Sequence, residues 1–268
     1  MYLYASDIAA LAGYTKWNIA KTFERVLKRN FEGYETFLAS LDSDTQSLVK
    51  ECQVTARERL ETYNISSSLD SPKDKKTEMK ELVNALQVPS DVKATLKKNV
   101  ESHVNTSFGT SHEVYGIKGV EKLLGGKVKL DNSLFKRTIQ GTNITIVGRV
   151  DGFFIDPQDI SRNCIVEIKN RMYKLFNSVY LYEEIQVQMY MWMIQEYDSA
   201  LLYERHGDKS SSTAIPRNET LTLEVLEDIQ SFSKWFDTFT SDTELMTAYF
   251  KMDEDEKNLL IREQRVTK

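Results

Sequence analysis

Gly148-Arg149-Val150-Asp151-Gly152-Phe153-Phe154, followed after a short polar link by Ile165-Val166-Glu167-Ile168-Lys169, is the stretch that decides how this chain folds. A two-residue step along a strand returns a side chain to the same face, so Glu167 and Lys169 project side by side from an otherwise apolar run. Packing alone gives no reason for an acid and a base there. Asp151 closes the preceding apolar strand just before a glycine, and the link from Asp156 to Asn163 brings the second strand back beside it. The simplest geometry gathers two carboxylates and an ammonium group at one point on a sheet. Such a set binds a hard divalent cation and handles a phosphate.

Composition limits the alternatives. With 268 residues the chain can bury a sizeable core without disulfides. A hydrophobic fraction of 41%, an aromatic fraction of 10% and a mean hydropathy of -0.44 describe an ordinary soluble globular protein, with no apolar run of membrane-spanning length. Cys52 and Cys164 stand far apart with no CxxC or Cys/His spacing, so neither a disulfide framework nor a zinc or iron–sulfur site is expected. Together with the absence of a secretory signal at the N-terminus, this predicts an intracellular, reducing compartment. The net charge of -5 is not that of a typical nucleic-acid binder, so any DNA contact must use local basic patches.

The first 62 residues read as helical, with Ser6 as an N-cap and Gly13 as a stop. A helix over 17–31 carries an apolar stripe of Ile19, Phe23, Val26 and Leu27. Its other side gathers Lys21, Arg25, Lys28 and Arg29, which is either a solvated face or a patch that tracks phosphates. A further helix is predicted over 45–63, with Leu48, Cys52 and Thr55 on one side. The Ser/Asp/Lys-rich stretch 66–76 reads as a linker or mobile loop. These features predict an N-terminal helical lobe over 1–103, with a mobile loop near 64–76, and a core over 104–268.

Helices follow over 77–86, 91–102 and 105–124. The last places Glu113 in an apolar stripe with Gly109, Ile117, Val120 and Leu124, where it either takes a partner or reaches solvent from the edge. His112 points about 100° away and reads as a supporting histidine rather than a ligand. Strands are predicted over 127–139, 144–155 and 164–172, with a turn at 140–143. Ser178 is a candidate cap for a helix to Tyr197, in which Tyr182, Gln186, Tyr190 and Met193 share a face. Its Met and aromatic residues suit a core, which leaves Gln186 as the misfit. Strands over 200–205 and 220–225 and an aromatic-rich helical region complete an α/β (α+β) chain with a central mixed β-sheet flanked by helices.

Two hard carboxylates plus a strand carbonyl suit Mg²⁺ or Mn²⁺. A lysine beside such an ion can orient water, hold a phosphate or, with a depressed pKa, accept a proton. At this point the chain resembles the PD-(D/E)XK nuclease superfamily, and within it the phage lambda exonuclease and YqaJ-type recombination nucleases. The resemblance runs in order through Tyr4-Ala5-Ser6-Asp7-Ile8-Ala9, Phe108-Gly109-Thr110-Ser111-His112-Glu113, Val150-Asp151-Gly152, Glu167-Ile168-Lys169 and Gln186-Val187-Gln188-Met189-Tyr190-Met191-Trp192.

The resemblance implies a restriction-endonuclease-like core. It implies that Asp151, Glu167 and the backbone carbonyl of Ile168 bind the catalytic metal and that Glu113 serves a second ion. Lys169 would activate or position the attacking water, and Gln186 would support the lysine or touch the substrate backbone. Ser6 matches a serine that helps hold a DNA phosphate. With Lys16, Lys21, Arg25, Lys28 and Tyr190 it forms the set of candidate DNA contacts. An arginine that clamps the terminal 5′-phosphate in the phage enzyme has no counterpart ahead of Ser6, and Lys16 or Arg25 is its candidate replacement.

The stretch 66–102 is longer than the phage enzyme's toroidal trimer requires, so the oligomeric state stays open. The implied activity is Mg²⁺-dependent exonucleolytic degradation of linear double-stranded DNA, 5′ to 3′, in phage or viral recombination or repair. Its setting would be host cytoplasm, nucleus or virion, with a single-strand annealing protein as candidate partner. The alternatives are an endonuclease of the same superfamily and a catalytically inactive DNA-binding protein.

Overall fold

The strand that carries Glu167 and Lys169 lies at the centre of a five-stranded sheet, and the rest of the architecture follows from its two faces. The computed structural model describes residues 1–68, 71–176 and 178–263, the side chains at 48, 50–53, 110 and 111 aside. In chain order the elements are β1 (Tyr2–Tyr4), α1 (Ala5–Leu11), α2 (Ile19–Asn30), α3 (Tyr34–Ser40), α4 (Ser43–Gln53), α5 (Ala56–Thr62), α6 (Pro72–Ala85), α7 (Ser90–Ser111) and α8 (Glu113–Leu124). Then come β2 (Val128–Lys129), β3 (Phe135–Thr138), β4 (Thr145–Gly148), β5 (Gly152–Phe154), a 3-10 turn (Ile160–Arg162), β6 (Cys164–Asn170), α9 (Leu181–Ile194), β7 (Ser199–His206), β8 (Lys209–Pro216), α10 (Glu219–Ser241), α11 (Thr243–Lys251) and α12 (Glu254–Glu263).

The larger sheet has the order β2-β5-β6-β7-β8, and the smaller one β1-β4-β3. Each is mixed: β6 runs parallel to β7 and β1 parallel to β4, while the other pairs are antiparallel. The parallel pair β6 and β7 is joined through α9, as a parallel connection requires a crossover. Alternation along β6 sorts its residues cleanly. Cys164, Val166 and Ile168 pack with Val120, Leu201 and Tyr203 under α8, whereas Ile165 enters the large core with Ile185 and Met189 of α9. Glu167 and Lys169 continue the α9-facing side.

The close approach of α8 to β6 depends on Gly116, where an added Cβ would lie 2.4 Å from Cγ2 of Ile168.

Helices flank both sheets, as predicted, but the sheet expected as one is two. The expected strands 127–139 and 144–155 each divide, because Asp131 accepts the Ser133 amide in a turn and the chain changes sheet between Gly148 and Gly152. Residues 2–4 form a strand rather than helix, and Ser6 lies inside α1, whose N-cap is Tyr4. Gly13, at φ 68°, does stop that helix. The helix expected over 45–63 breaks before Thr55, which forms a capping box with Glu58 and starts α5; the side chains of Leu48 and Cys52 lie outside the described residues.

Residues 72–76, expected as loop, are helical, since Ser71 caps α6 and Pro72 occupies its first turn; residues 69–70 of the expected loop lie outside the described residues. The boundary expected at 103/104 falls inside the uninterrupted α7, and α1 and α2 share one core with α9 and α10. Three helices, α5 to α7, have a separate apolar cluster of Leu60, Met79, Val83, Leu96 and Val100, against which Met172 packs.

Ser178 does not cap α9, whose N-cap is Tyr180. Residues 220–225 are the first turns of α10, capped by Asn218, and the strand is instead the polar run of β8.

Candidate active site

Asp151 precedes β5 and faces β6, where its Oδ2 accepts the Ile168 amide at 2.6 Å. Glu167 is 4% exposed. Its Oε1 accepts Lys169 Nζ at 2.6 Å and Gln186 Nε2 at 3.2 Å. The second oxygen, Oε2, is buried with no partner. Gln186, one turn into α9, bridges the group: its Oε1 is 3.3 Å from Lys169 Nζ, and its Nε2 also donates to the Tyr190 hydroxyl at 2.7 Å. The sequence thus brings Asp151, Glu167, Lys169 and Gln186 together from three elements.

Electrostatics tie these groups to one another. Burial pushes the Asp151 carboxyl up to about 8, with the charges of Glu167 and Glu113 adding to the rise and the Ile168 amide and Lys169 opposing it. Burial works against the Lys169 ammonium, but Glu167, Glu183 and Asp151 outweigh it and hold its pKa above the usual lysine value. These acids keep Lys169 a charged donor.

A buried carboxylate oxygen without a partner, facing a second carboxyl that resists ionisation, is the arrangement a cation relieves. The donors are hard oxygens, and they fit Mg²⁺ or Mn²⁺. Among the described residues, no group of three or more His, Cys, Asp and Glu side chains is gathered closely enough to hold a metal ion.

Glu113 is the first residue of α8 and is exposed, not buried in a stripe, because α7 ends at Ser111 and the helix restarts after His112. It lines a cavity of about 270 Å³ with Asn105, Gly109, Ile168, Lys169 and Arg171, and so stands at the mouth of the site. His112 packs at the junction of the two helices, its ring 4.0 Å from that of Phe108 and its Nδ1 3.0 Å from the Phe108 carbonyl.

Ser6, Lys16, Lys21 and Arg25 converge on a second, larger groove of about 940 Å³. Lys28 does not line it and instead approaches Glu35 at 4.0 Å. Tyr190 is 4% exposed and belongs to the core, so it holds Gln186 rather than meeting a ligand.

Sequence reasoning missed Arg171. It donates to Glu204 and Glu183, each at 2.6 Å, and both acids are buried. The signal was present: in the strand expected over 164–172, Arg171 shares the period-two face of Glu167 and Lys169.

The class these features define is an α+β chain in which two carboxylates and a lysine on a central mixed sheet meet a glutamine from the helix packed on it. No protein-family model matches the chain, and no curated protein sequence does. Among solved structures, an alkaline exonuclease (LHK-Exo) from Laribacter hongkongensis is similar at a TM-score of 0.41 and 15% identity, over 73% of this chain and 93% of that one. A phage-related exonuclease from Haemophilus somnus 129PT is similar at a TM-score of 0.41 and 16% identity, over 70% and 95%.

Proposed function

We propose that this chain is a metal-dependent deoxyribonuclease of the PD-(D/E)XK type, an exonuclease that degrades linear double-stranded DNA from its ends. The observation that carries the reading is the Glu167–Lys169–Gln186 cluster beside Asp151, with one buried oxygen of Glu167 unpartnered. Asp151, Glu167 and the Ile168 carbonyl would hold Mg²⁺ or Mn²⁺, with Glu113 serving a second ion. When bound, such ions supply Lewis acidity toward a phosphodiester oxygen and acidify water. Lys169 acts as a fixed ammonium that hydrogen-bonds a phosphate oxygen or the attacking water and offsets the charge developing on phosphorus. Gln186 keeps that ammonium in place, and Ile168 N–H fixes the carboxyl of Asp151.

A lysine argues against a purely structural cation site, because such a site gains nothing from a neighbouring ammonium. We assign 5′-to-3′ polarity, an intracellular setting in phage or viral DNA recombination or repair, and a single-strand annealing protein as partner on the motif resemblance alone.

The test is a linear duplex labelled at either end, beside a closed circle, with Mg²⁺ and with Lys169→Ala as control. Loss of the linear DNA from its 5′ ends is expected. Cutting of the circle would move the chain to the endonucleases, and undiminished activity in Lys169→Ala would remove the site assignment.

A further inference from the structure

The larger groove combines charge and exposed rings in a way the catalytic cluster does not use. Its walls come from the loop between α1 and α2, from α2 itself and from Phe176, Tyr180, Leu181 and Tyr182, and Lys16, Lys21 and Arg25 line it. No Asp or Glu is among its described lining residues, although the chain as a whole carries a net charge of -5. Trp17, on the same rim, is 73% exposed, and Tyr180 and Tyr182 are 45% and 37% exposed. Large exposed aromatic surface gathered in one place marks a binding site rather than fold stability.

The rim is held in place. Asn18 adopts a left-handed φ of 56°, the Trp17 amide donates to Thr15 Oγ1 at 3.1 Å, and Arg262 of α12 donates to the Lys16 carbonyl at 3.0 Å.

The rings also lead somewhere. Arg171, which lines the catalytic cavity, lies 4.0 Å over the Phe176 ring. Phe176 meets Tyr180 edge-on at 4.8 Å, and Tyr180 stacks on Tyr182 at 5.7 Å with the planes 17° apart. In addition, α7 contributes Ser102 to the groove and, one turn later, Asn105 and Thr106 to the cavity. Groove and cavity therefore have neighbouring walls, through Arg171 and Phe176 on one strip and through α7 on another.

We propose that this groove binds an unpaired DNA strand, with bases stacked on Trp17 and on the Tyr180/Tyr182 pair and phosphates met by Lys16, Lys21 and Arg25. The direction of travel, toward Lys169, rests on the nuclease reading, whereas the binding itself does not. Base stacking on aromatics is independent of sequence, and a basic wall follows the backbone. A duplex offers no free base faces, so the groove takes the frayed or single-stranded end of a substrate.

The experiment is fluorescence anisotropy of a labelled oligothymidylate of about a dozen nucleotides, a length within the range of single-strand sites, titrated with the full chain in EDTA. The wild type is expected to bind it, and Trp17→Ala and Tyr182→Ala each to weaken binding roughly tenfold, with Trp17→Phe restoring most of the loss. An abasic strand of equal length should bind the wild type roughly tenfold or more weakly and should not distinguish the variants. Equal wild-type affinity for abasic and thymidylate strands would overturn the proposal, as would unchanged affinity in both alanine variants. Tighter binding of an oligouridylate would assign the groove to RNA and overturn it as well. No cation is present, so a chain without nuclease activity can still pass this test. Wild-type degradation of linear duplex by variants that cannot bind the strand would overturn the travel toward Lys169 and spare both the binding and the nuclease.

Discussion

Glu167 and Lys169 form a 2.6 Å ion pair that uses only one oxygen of the carboxylate. The other oxygen is buried and unpartnered, so the pair is asymmetric, with one side satisfied by the ammonium and the other open to a cation. Lys169→Ala should therefore do two things. Turnover should fall by about 10²–10⁴-fold, the usual range for a positioned donor, measured on linear duplex with Mg²⁺. Stability of the metal-free protein should also fall, because Glu167 would be left buried and unpaired. Adding Glu167→Gln to that variant should restore part of the denaturation midpoint and none of the activity.

The Asp151 carboxyl gives the metal-free protein an unusual pH profile. Its folded-state pKa is raised from 3.8 to about 8, so between these values the native state binds a proton that the unfolded chain does not. Stability from this group is complete below the unfolded value and is lost as pH rises toward 8, the reverse of the common carboxylate pattern. In EDTA, Asp151→Asn should be more stable than the wild type at pH 8, on the order of a few kcal/mol, and the gap should close toward pH 4. Thermal unfolding across that range with and without Mg²⁺ is the measurement, and a gap that ignored pH would contradict the burial of this carboxyl.

The site was more legible in the sequence than the fold around it. Glu167 and Lys169 lie on a strand and Arg171 directly follows it, so a period of two states which side chains share a face, and Gln186 announces itself as a polar residue in an apolar helix. For Glu113 the solvent-facing one of its two readings holds, while the unbroken helix does not: the 3.6-residue pattern runs through Gly109 to Leu124, but the helix breaks at His112, whose φ of -103° and ψ of 2° start a new one. The polar strand β8 sits at a sheet edge, where pairing with β7 through the backbone needs no apolar face. Residues 220–225 have strand-like composition, yet Asn218 accepts the Leu221 amide and nucleates α10. Long-range pairing, such as β1 with β4, leaves no mark on three residues of sequence.

Arg171 holds two buried acids, Glu183 at 1% exposure and Glu204 at 5%. Arg171→Met would leave both carboxylates uncompensated and should cost about 3–5 kcal/mol in chemical denaturation. The double substitution Glu183→Gln with Glu204→Gln in that background should recover much of it. A loss under about 0.5 kcal/mol, the range of an ordinary surface change, would show that the cluster is not a closed charge network.

Gly116 separates α8 from β6 by the width of a missing methyl group. Gly116→Ala places a Cβ 2.4 Å from Ile168 Cγ2, and Ile168 is the residue whose amide holds Asp151. Overpacking should cost about 1–3 kcal/mol, read by thermal unfolding, and should lower turnover through displacement of Asp151. Activity unchanged beside a clear loss of stability would mean that β6 holds its place while α8 yields.

Glu113 separates a ligand from a neighbouring charge. It stands exposed at the first position of α8, where a carboxylate also suits the helix dipole, and its charge helps raise the Asp151 pKa. Glu113→Gln removes the charge and keeps the shape. If Glu113 serves a second ion, the variant should unfold near the wild-type midpoint yet lose about 100-fold or more in turnover, with a steeper requirement for Mg²⁺. If it acts only through its field, turnover should stay within a few-fold, and the pH dependence of metal-free stability should weaken because Asp151 then ionises more readily. Turnover and the pH profile of unfolding, measured on the same preparation, decide between them.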